Sequence, residues 1–175
     1  FKKNLNEDSL NMKPERVYLG DYLQGKFVKV GDPNGQGLSR CPGNLDLDPV
    51  EIPFSFAHVQ EAVSAAKLSF ASWRGQKDAA RQAHLNRFCE MLHKEAETLA
   101  WHISFEVGKP LWESREEVRQ SLLLCDYFLK NGNRTATHEE VADADEASSG
   151  VIRFHARGVA VVIPTAIEPL FCTLS

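Results

Sequence analysis

The chain has 175 residues, 43% hydrophobic and 25% charged, with a net charge of −4, a composition that fits one soluble domain with a real core. The acidic balance argues against a nucleic-acid partner, which needs a clustered positive surface. No apolar run approaches the roughly 20 residues of a membrane helix, and Phe1-Lys2-Lys3-Asn4 lacks the apolar centre of a signal peptide.

These features predict a cytoplasmic protein with no membrane partner. The chain opens without Met, which predicts an excised or processed piece. Met12 offers a native start, and residues 1–11 would then stand outside the fold.

Residues 1–50 are punctuated by Gly20, Gly25, Gly31, Pro33, Gly35, Gly37, Pro42 and Gly43. Short β-like pieces, 17–19 and 26–30, lie between them. The pattern predicts an extended arm with one or two hairpins. Asp32-Pro33-Asn34-Gly35 is a turn signal. The glycines do not form GxGxxG, and no long apolar strand precedes them, so they give no phosphate-binding signature.

At Ser55 the period changes. Val59, Ala62, Val63, Ala66, Phe70 and Trp73 recur in steps of three and four, which predicts a helix N-capped by Ser55 and closed at Gly75. A second helical pattern follows Asp78, with Leu85, Phe88, Cys89, Leu92, Leu99 and Ile103 on one side. A break near residues 93–95 is left open by the pattern. Gly108 then suits a helix C-cap, where the backbone needs positive φ, and Pro110 the first turn of a new helix. Local physics alone reads Gly108-Lys109-Pro110 as a corner between two helices. The next helix runs to about Lys130 with Leu111, Val118, Leu122 and Leu129 inward, and Asn131-Gly132-Asn133 ends it.

Residues 134–149 are polar, acidic and small, and predict a loop. Val151-Ile152-Arg153-Phe154-His155 alternates as a strand. Gly158-Val159-Ala160-Val161-Val162-Ile163 is a continuous β-branched run, the pattern of a strand buried on both faces of an α/β sheet. One such strand cannot make a sheet. Either the fold is incomplete or partners supply the missing strands.

Few residues suggest chemistry by themselves. Cys41, Cys89, Cys125 and Cys172 are irregularly spaced without CxxC, which reads as free thiols in a reducing compartment. Cys89 and Cys125 sit inside helical patterns, and none of the four is assigned as a nucleophile. Cys89 and His93 share a helix face, but the five-residue step to His84 is poor and no further ligand is apparent, so no metal site is assigned. Glu113 and Glu117 are one helical turn apart, against the simpler reading of a solvated face. Lys109 at the corner is placed to bind an anion or to complement a helix dipole. Asn133-Arg134-Thr135 matches a glycosylation sequon that a cytosolic chain would not use.

Taken in order, several pieces resemble the N-terminal part of the aldehyde dehydrogenase superfamily. They are the Leu19-Gly20-Asp21-Tyr22-Leu23 hairpin, the Val59-to-Trp73 helix, and Arg81, Leu85 and Leu92 on the second helix. Glu106-Val107-Gly108-Lys109-Pro110-Leu111 follows, with Glu113 and Glu116-Glu117-Val118. Tyr127-Phe128 and the Arg157–Pro164 strand complete the set. The corner with Trp112 is most similar to the succinylglutamate-semialdehyde branch, with pyrroline-5-carboxylate dehydrogenases next.

The resemblance implies an α/β fold: an incomplete aldehyde-dehydrogenase-like N-terminal region in which a β arm and helices lead into the first strand of a Rossmann-like sheet. Its parts would be an extended arm (1–50) and the helical part of a cofactor-binding domain (51–133). An acidic loop with an oligomerisation-type strand (134–157) and the truncated first sheet strand (158–175) would follow. It implies an NAD- or NADP-dependent oxidation of a small aldehyde through a cysteine thioester, and a homo-oligomer. No cysteine of this chain matches the nucleophile, so the chain alone is expected to be inactive. A non-catalytic interaction or oligomerisation module is the alternative.

Carried over, Ile163, Pro164 and Thr165 would lie near the cofactor. If Pro169 matches the family's second proline, Ile167 stands where an asparagine supplies an oxyanion donor, a group worth roughly 3–4 kcal/mol of barrier. Isoleucine has no donor. Three accounts compete: divergence, an alignment gap, or an altered reading frame near the end. Glu117 and Gln120 would line the aldehyde tunnel, against the plain reading of both as exposed helix residues.

Overall fold

A computed structural model describes residues 15–132, 139–142, 149–152 and 154–175. The sequon at 133–135 and residues 1–11 lie outside the described residues. The element order is β1 (Asp21–Leu23), β2 (Lys26–Val28), β3 (Gly35–Ser39), β4 (Val50–Phe54), α1 (Phe56–Gly75), α2 (Asp78–Lys94), α3 (Ala96–Val107), α4 (Leu111–Asn131), β5 (Glu139–Ala142), β6 (Ser149–Ile152) and α5 (Pro169–Leu174).

The expected arm is present as two antiparallel hairpins, β1–β2 and β3–β4. The first turns on Gln24 and Gly25, both at positive φ (50° and 85°). A two-residue connection needs that geometry to match strand twist. Tyr22 and Phe27 pair across the strands, edge to face at 5.2 Å. Residues 17–19, expected as a β piece, join no strand. Instead Tyr18 donates its hydroxyl to Asp21 Oδ1 at 2.7 Å.

Helix α1 begins after Ser55, as its pattern predicts, but the Ser55 side chain makes no cap bond. Asn34 does the capping: its Oδ1 accepts the Phe56 N–H at 2.8 Å, while its own N–H donates to the Phe54 carbonyl at 2.9 Å. The 32–35 turn is thereby fixed to the helix N-terminus. None of α1 is buried. Val63 and Phe70 of its apolar face are only partly covered, and Val59 and Trp73 are exposed.

The break left open near 93–95 falls at Glu95, whose φ of −96° and ψ of 12° separate α2 from α3. The core lies where α2 and α3 meet α4. One cluster joins Cys89, Leu92 and Cys125, flanked by Leu99, Leu122, Leu129 and Leu174. The other joins Ala100, Ile103 and Val118, flanked by Leu111, Leu122 and Leu170. Ala100, Ser114 and Ser121 are fully buried small residues, and such residues let helix backbones approach closely.

Three expectations at the C-terminal side need correction. Residues 134–149, expected as a loop, contain β5, which pairs antiparallel with β6 (Glu139↔Ile152, Ala142↔Ser149). Partner pairing overrides a weak local strand preference. Residues 158–163, expected as a doubly buried strand, form no ladder and are exposed along their length. A β-branched run is buried only when neighbouring strands and covering helices exist, and none of the described strands pairs with it. Helix α5 was not anticipated in residues 158–175. Its signal was Pro169, which occupies the first turn.

Candidate functional site

The Gly108–Pro110 corner is the best-built polar cluster among the described residues. Helix α3 closes on Gly108 in the left-handed region (φ 78°, ψ 14°), with the Gly108 N–H donating to the Ser104 carbonyl at 2.8 Å. Pro110 caps α4, its carbonyl accepting from Glu113 N at 3.0 Å and Ser114 N at 3.1 Å. Between the caps, the Lys109 carbonyl accepts the Ser104 hydroxyl at 2.8 Å. This leaves the Lys109 side chain directed along the first turns of α4.

There Lys109 Nζ donates to Glu117 Oε2 at 2.5 Å and to the Ile167 carbonyl at 3.0 Å. The other carboxylate oxygen, Glu117 Oε1, accepts from Leu170 N at 2.8 Å and Phe171 N at 3.2 Å. Glu117 is only 5% exposed. A buried ion pair is tolerable when further hydrogen bonds satisfy its remaining groups, and here both carboxylate oxygens are engaged. The pair links the helical core to the segment that ends in α5.

Arg16 secures the arm to the same corner. Its Nη1 donates to the Asp48 carbonyl at 3.1 Å, its Nη2 to the Ser39 carbonyl at 3.2 Å, and its Nε lies 3.7 Å from Glu106 Oε1. The Ser39 hydroxyl also donates to Glu106.

The residues singled out in the sequence fall into separate places. Ile163, Pro164 and Thr165 are exposed, Ile163 at 88%. The Thr165 hydroxyl accepts the Glu168 N–H at 3.4 Å and lies 3.6 Å from Cys172 Sγ. The Ile167 side chain is 71% exposed and offers no donor, while its carbonyl is held by Lys109. Glu117 and Gln120 differ in setting. Glu117 is buried and bound as above, and Gln120 is exposed with its amide donating to Glu116 at 2.7 Å. Glu113, too, is exposed, away from the buried carboxylate one turn on. Arg119, with Gln120 adding to its effect, holds the exposed Glu116 carboxyl down to about 2.

Cys89 and Cys125 pack together in the core. Cys41, Cys89 and Cys125 are buried and Cys172 is partly exposed. Burial first, and a hydrogen bond with Cys89 second, push the Cys125 thiol up to about 12, the opposite of what a nucleophile needs. Cys89 faces the core while His84 and His93 are exposed on α2. Among the described residues no group of three metal-ligating side chains gathers, and no helix is long and apolar enough to cross a membrane.

Sequence reasoning took Lys109 and Glu117 separately and missed their pairing. The two are eight residues apart, and Lys109 lies before the cap of the helix that carries Glu117, so helical periodicity does not pair them. It also missed a cavity of about 480 Å³ lined by Trp73, Arg74, Arg81, Leu85, Phe128 and Phe154 among others, none of them from residues 163–167.

The sequence model of the aldehyde dehydrogenase family matches residues 54–166. The N-succinylglutamate 5-semialdehyde dehydrogenase of Burkholderia thailandensis is 34% identical over 144 residues, which is 81% of this chain and 28% of the relative. The protein of the same name from Chromohalobacter salexigens is 35% identical over 113 residues, 62% of this chain and 22% of the relative. Among solved structures, a methylmalonate-semialdehyde dehydrogenase from Sinorhizobium meliloti 1021, complexed with NAD, superposes with a TM-score of 0.73. It shares 18% identity and covers 92% of this chain and 33% of its own. A 3,6-anhydro-L-galactose dehydrogenase in complex with NAP gives 0.72 at 19% identity, covering 87% and 32%. The chain therefore has the fold of an aldehyde dehydrogenase N-terminal region and spans between about a fifth and a third of these relatives.

Proposed function

The chain belongs to the aldehyde dehydrogenase family, and on that premise we propose that it is the N-terminal part of an NAD(P)-dependent enzyme that oxidises a small semialdehyde to a carboxylate. The observation that carries this reading is the ordered match over residues 54–166, with relatives named for N-succinylglutamate 5-semialdehyde. In that chemistry a cysteine thiolate adds to the aldehyde carbon. When bound, the nicotinamide cofactor would supply the acceptor for the hydride that this carbon loses, and water would release the thioester as acid and thiol.

This chain's own part is scaffolding and one edge of the cofactor site. The exposed residues Ile163, Pro164 and Thr165 fit such an edge, offering main-chain groups and the Thr165 hydroxyl to a ligand. The sequence carries no GxGxxG phosphate loop, and none of its cysteines matches the family's nucleophile. Glu117 and Gln120 remain proposals for the aldehyde path: Glu117 is engaged by Lys109 and α5, and Gln120 is exposed with its amide on Glu116. We also assign to this family role a homo-oligomer, supported by the exposed 158–163 run.

A second reading is favoured by one residue. If Pro169 matches the family's second proline, Ile167 puts an apolar side chain at the oxyanion-donor position, which suits a non-catalytic aldehyde-dehydrogenase-like interaction or oligomerisation module. The test is NADH or NADPH formation at 340 nm with N-succinylglutamate 5-semialdehyde. The 175-residue chain should give none. A longer form of the protein carrying a downstream cysteine and glutamate should turn over. No turnover in a folded longer form would favour the module instead.

A further inference from the structure

We propose that Lys109 and Glu117 act as one positioning unit for residues 164–171, holding that turn through main-chain groups alone, so that its course is independent of the side chain at position 167. The inference rests on the reading above only for what the turn does in the parent, not for whether it is held.

The argument is an accounting of polar groups. A short helix leaves its first N–H groups without partners. In α5, Pro169 has no N–H. Glu117 takes the next two, Leu170 at 2.8 Å and Phe171 at 3.2 Å. Cys172 N donates to the Glu168 carbonyl at 3.0 Å. One residue upstream of that group, the Ile167 carbonyl is bound by Lys109 at 3.0 Å. The unit therefore grips the turn on both sides of the Glu168–Pro169 peptide. Each contact that Lys109 and Glu117 make to the turn is to backbone; Leu170 also packs its side chain on the Ala100, Ile103 and Val118 cluster, and the Ile167 side chain points to solvent. Lys109 and Glu117 are in turn fixed by the corner: Gly108 and Pro110 set where the lysine departs, and the first two turns of α4 set the carboxylate.

Amide hydrogen exchange by NMR on the ¹⁵N-labelled full chain tests this. Replacing Glu117→Ala should speed exchange at Leu170 and Phe171 at least tenfold relative to Ile103 and Val118 in the core. K109R should keep protection within about threefold, because the cation is retained. Since E117A leaves a buried lysine unpaired and risks unfolding, the double variant K109M/E117L removes both charges together. It should leave the core amides protected and lose protection at Leu170 and Phe171. I167N should leave both amides unchanged. Protection that survives in the double variant, or falls in I167N as far as in E117A, overturns the proposal. Failure of the longer protein to oxidise aldehydes would sink the proposed function and leave this exchange pattern untouched.

Discussion

Gly43 and Gly108 meet backbone to backbone. A Cβ on Gly108 would lie 2.5 Å from Gly43 N, and one on Gly43 would lie 2.6 Å from the Gly108 carbonyl oxygen. The helix corner is thus seated on the arm, and both residues must be glycine for reasons of space, with positive φ a second reason at Gly108. Gly108→Ala should cost about 1–2 kcal/mol for the left-handed backbone alone, with the clash added. G43A should cost a similar amount from the clash. G75A, where a Cβ meets nothing within 4 Å, is the control and should be neutral or slightly stabilising. Thermal unfolding by circular dichroism reads all three. A G108A variant melting with the native protein would remove the arm–corner contact as a stabilising feature.

How much of this was legible beforehand depends on the range of the interaction. The Gly108 cap, the Ser55 boundary and the inward positions Val118 and Leu122 follow from local period and backbone chemistry, and the structure has them. The capping of Phe56 by Asn34, 22 residues upstream, and the binding of Leu170 by Glu117, 53 residues upstream, depend on tertiary approach. No window along the sequence contains both partners. Residues 158–163 mislead in the opposite way. Their β-branched run encodes a buried strand, but burial is a property of neighbours that the described chain does not supply.

The cysteines separate by access. Cys125 sits in the α2–α4 core with its thiol at about 12, and Cys41 and Cys89 are buried, while Cys172 is partly exposed on α5. Iodoacetamide at pH 8 on the native chain should therefore modify Cys172 first, by at least tenfold in rate. The other three should react only after denaturant is added. Mass mapping of the alkylated peptides checks this, and rapid labelling of Cys125 would contradict the core described here.

The first hairpin should come loose from α1 in acid. The Tyr18 hydroxyl, and next the His58 ring at 2.7 Å, hold the Asp21 carboxyl below its ordinary value of 3.8. A lowered native value means stability that is complete above the unfolded value of about 3.9 and lost as pH falls through the native one. The contacts are partly solvent-exposed, so the contribution should be no more than about 1 kcal/mol. Asp21→Asn removes the titration. Its melting temperature should trail the native protein near neutral pH, and the margin should shrink as pH falls through the lowered native value of the carboxyl. A margin that widened in acid would reverse the sign of the linkage.

The exposed run at 158–163 sets up the last expectation. Val161 and Ile163 are 77% and 88% exposed in a β-branched stretch with no described strand beside it. Unpaired apolar backbone of this kind is a template for pairing with another chain. Native proteins avoid that association by placing charge on such edges, and this segment carries none between Arg157 and Glu168. The chain should therefore self-associate at high concentration, and V161K/I163K should suppress the association without lowering the melting temperature, because neither side chain packs on the core. Light scattering coupled to size exclusion over a tenfold or greater concentration range distinguishes the cases. If V161K/I163K associates as strongly as the native chain, the contact lies elsewhere, and the open apolar face of α1 around Phe56, Val59 and Trp73 becomes the surface to change next.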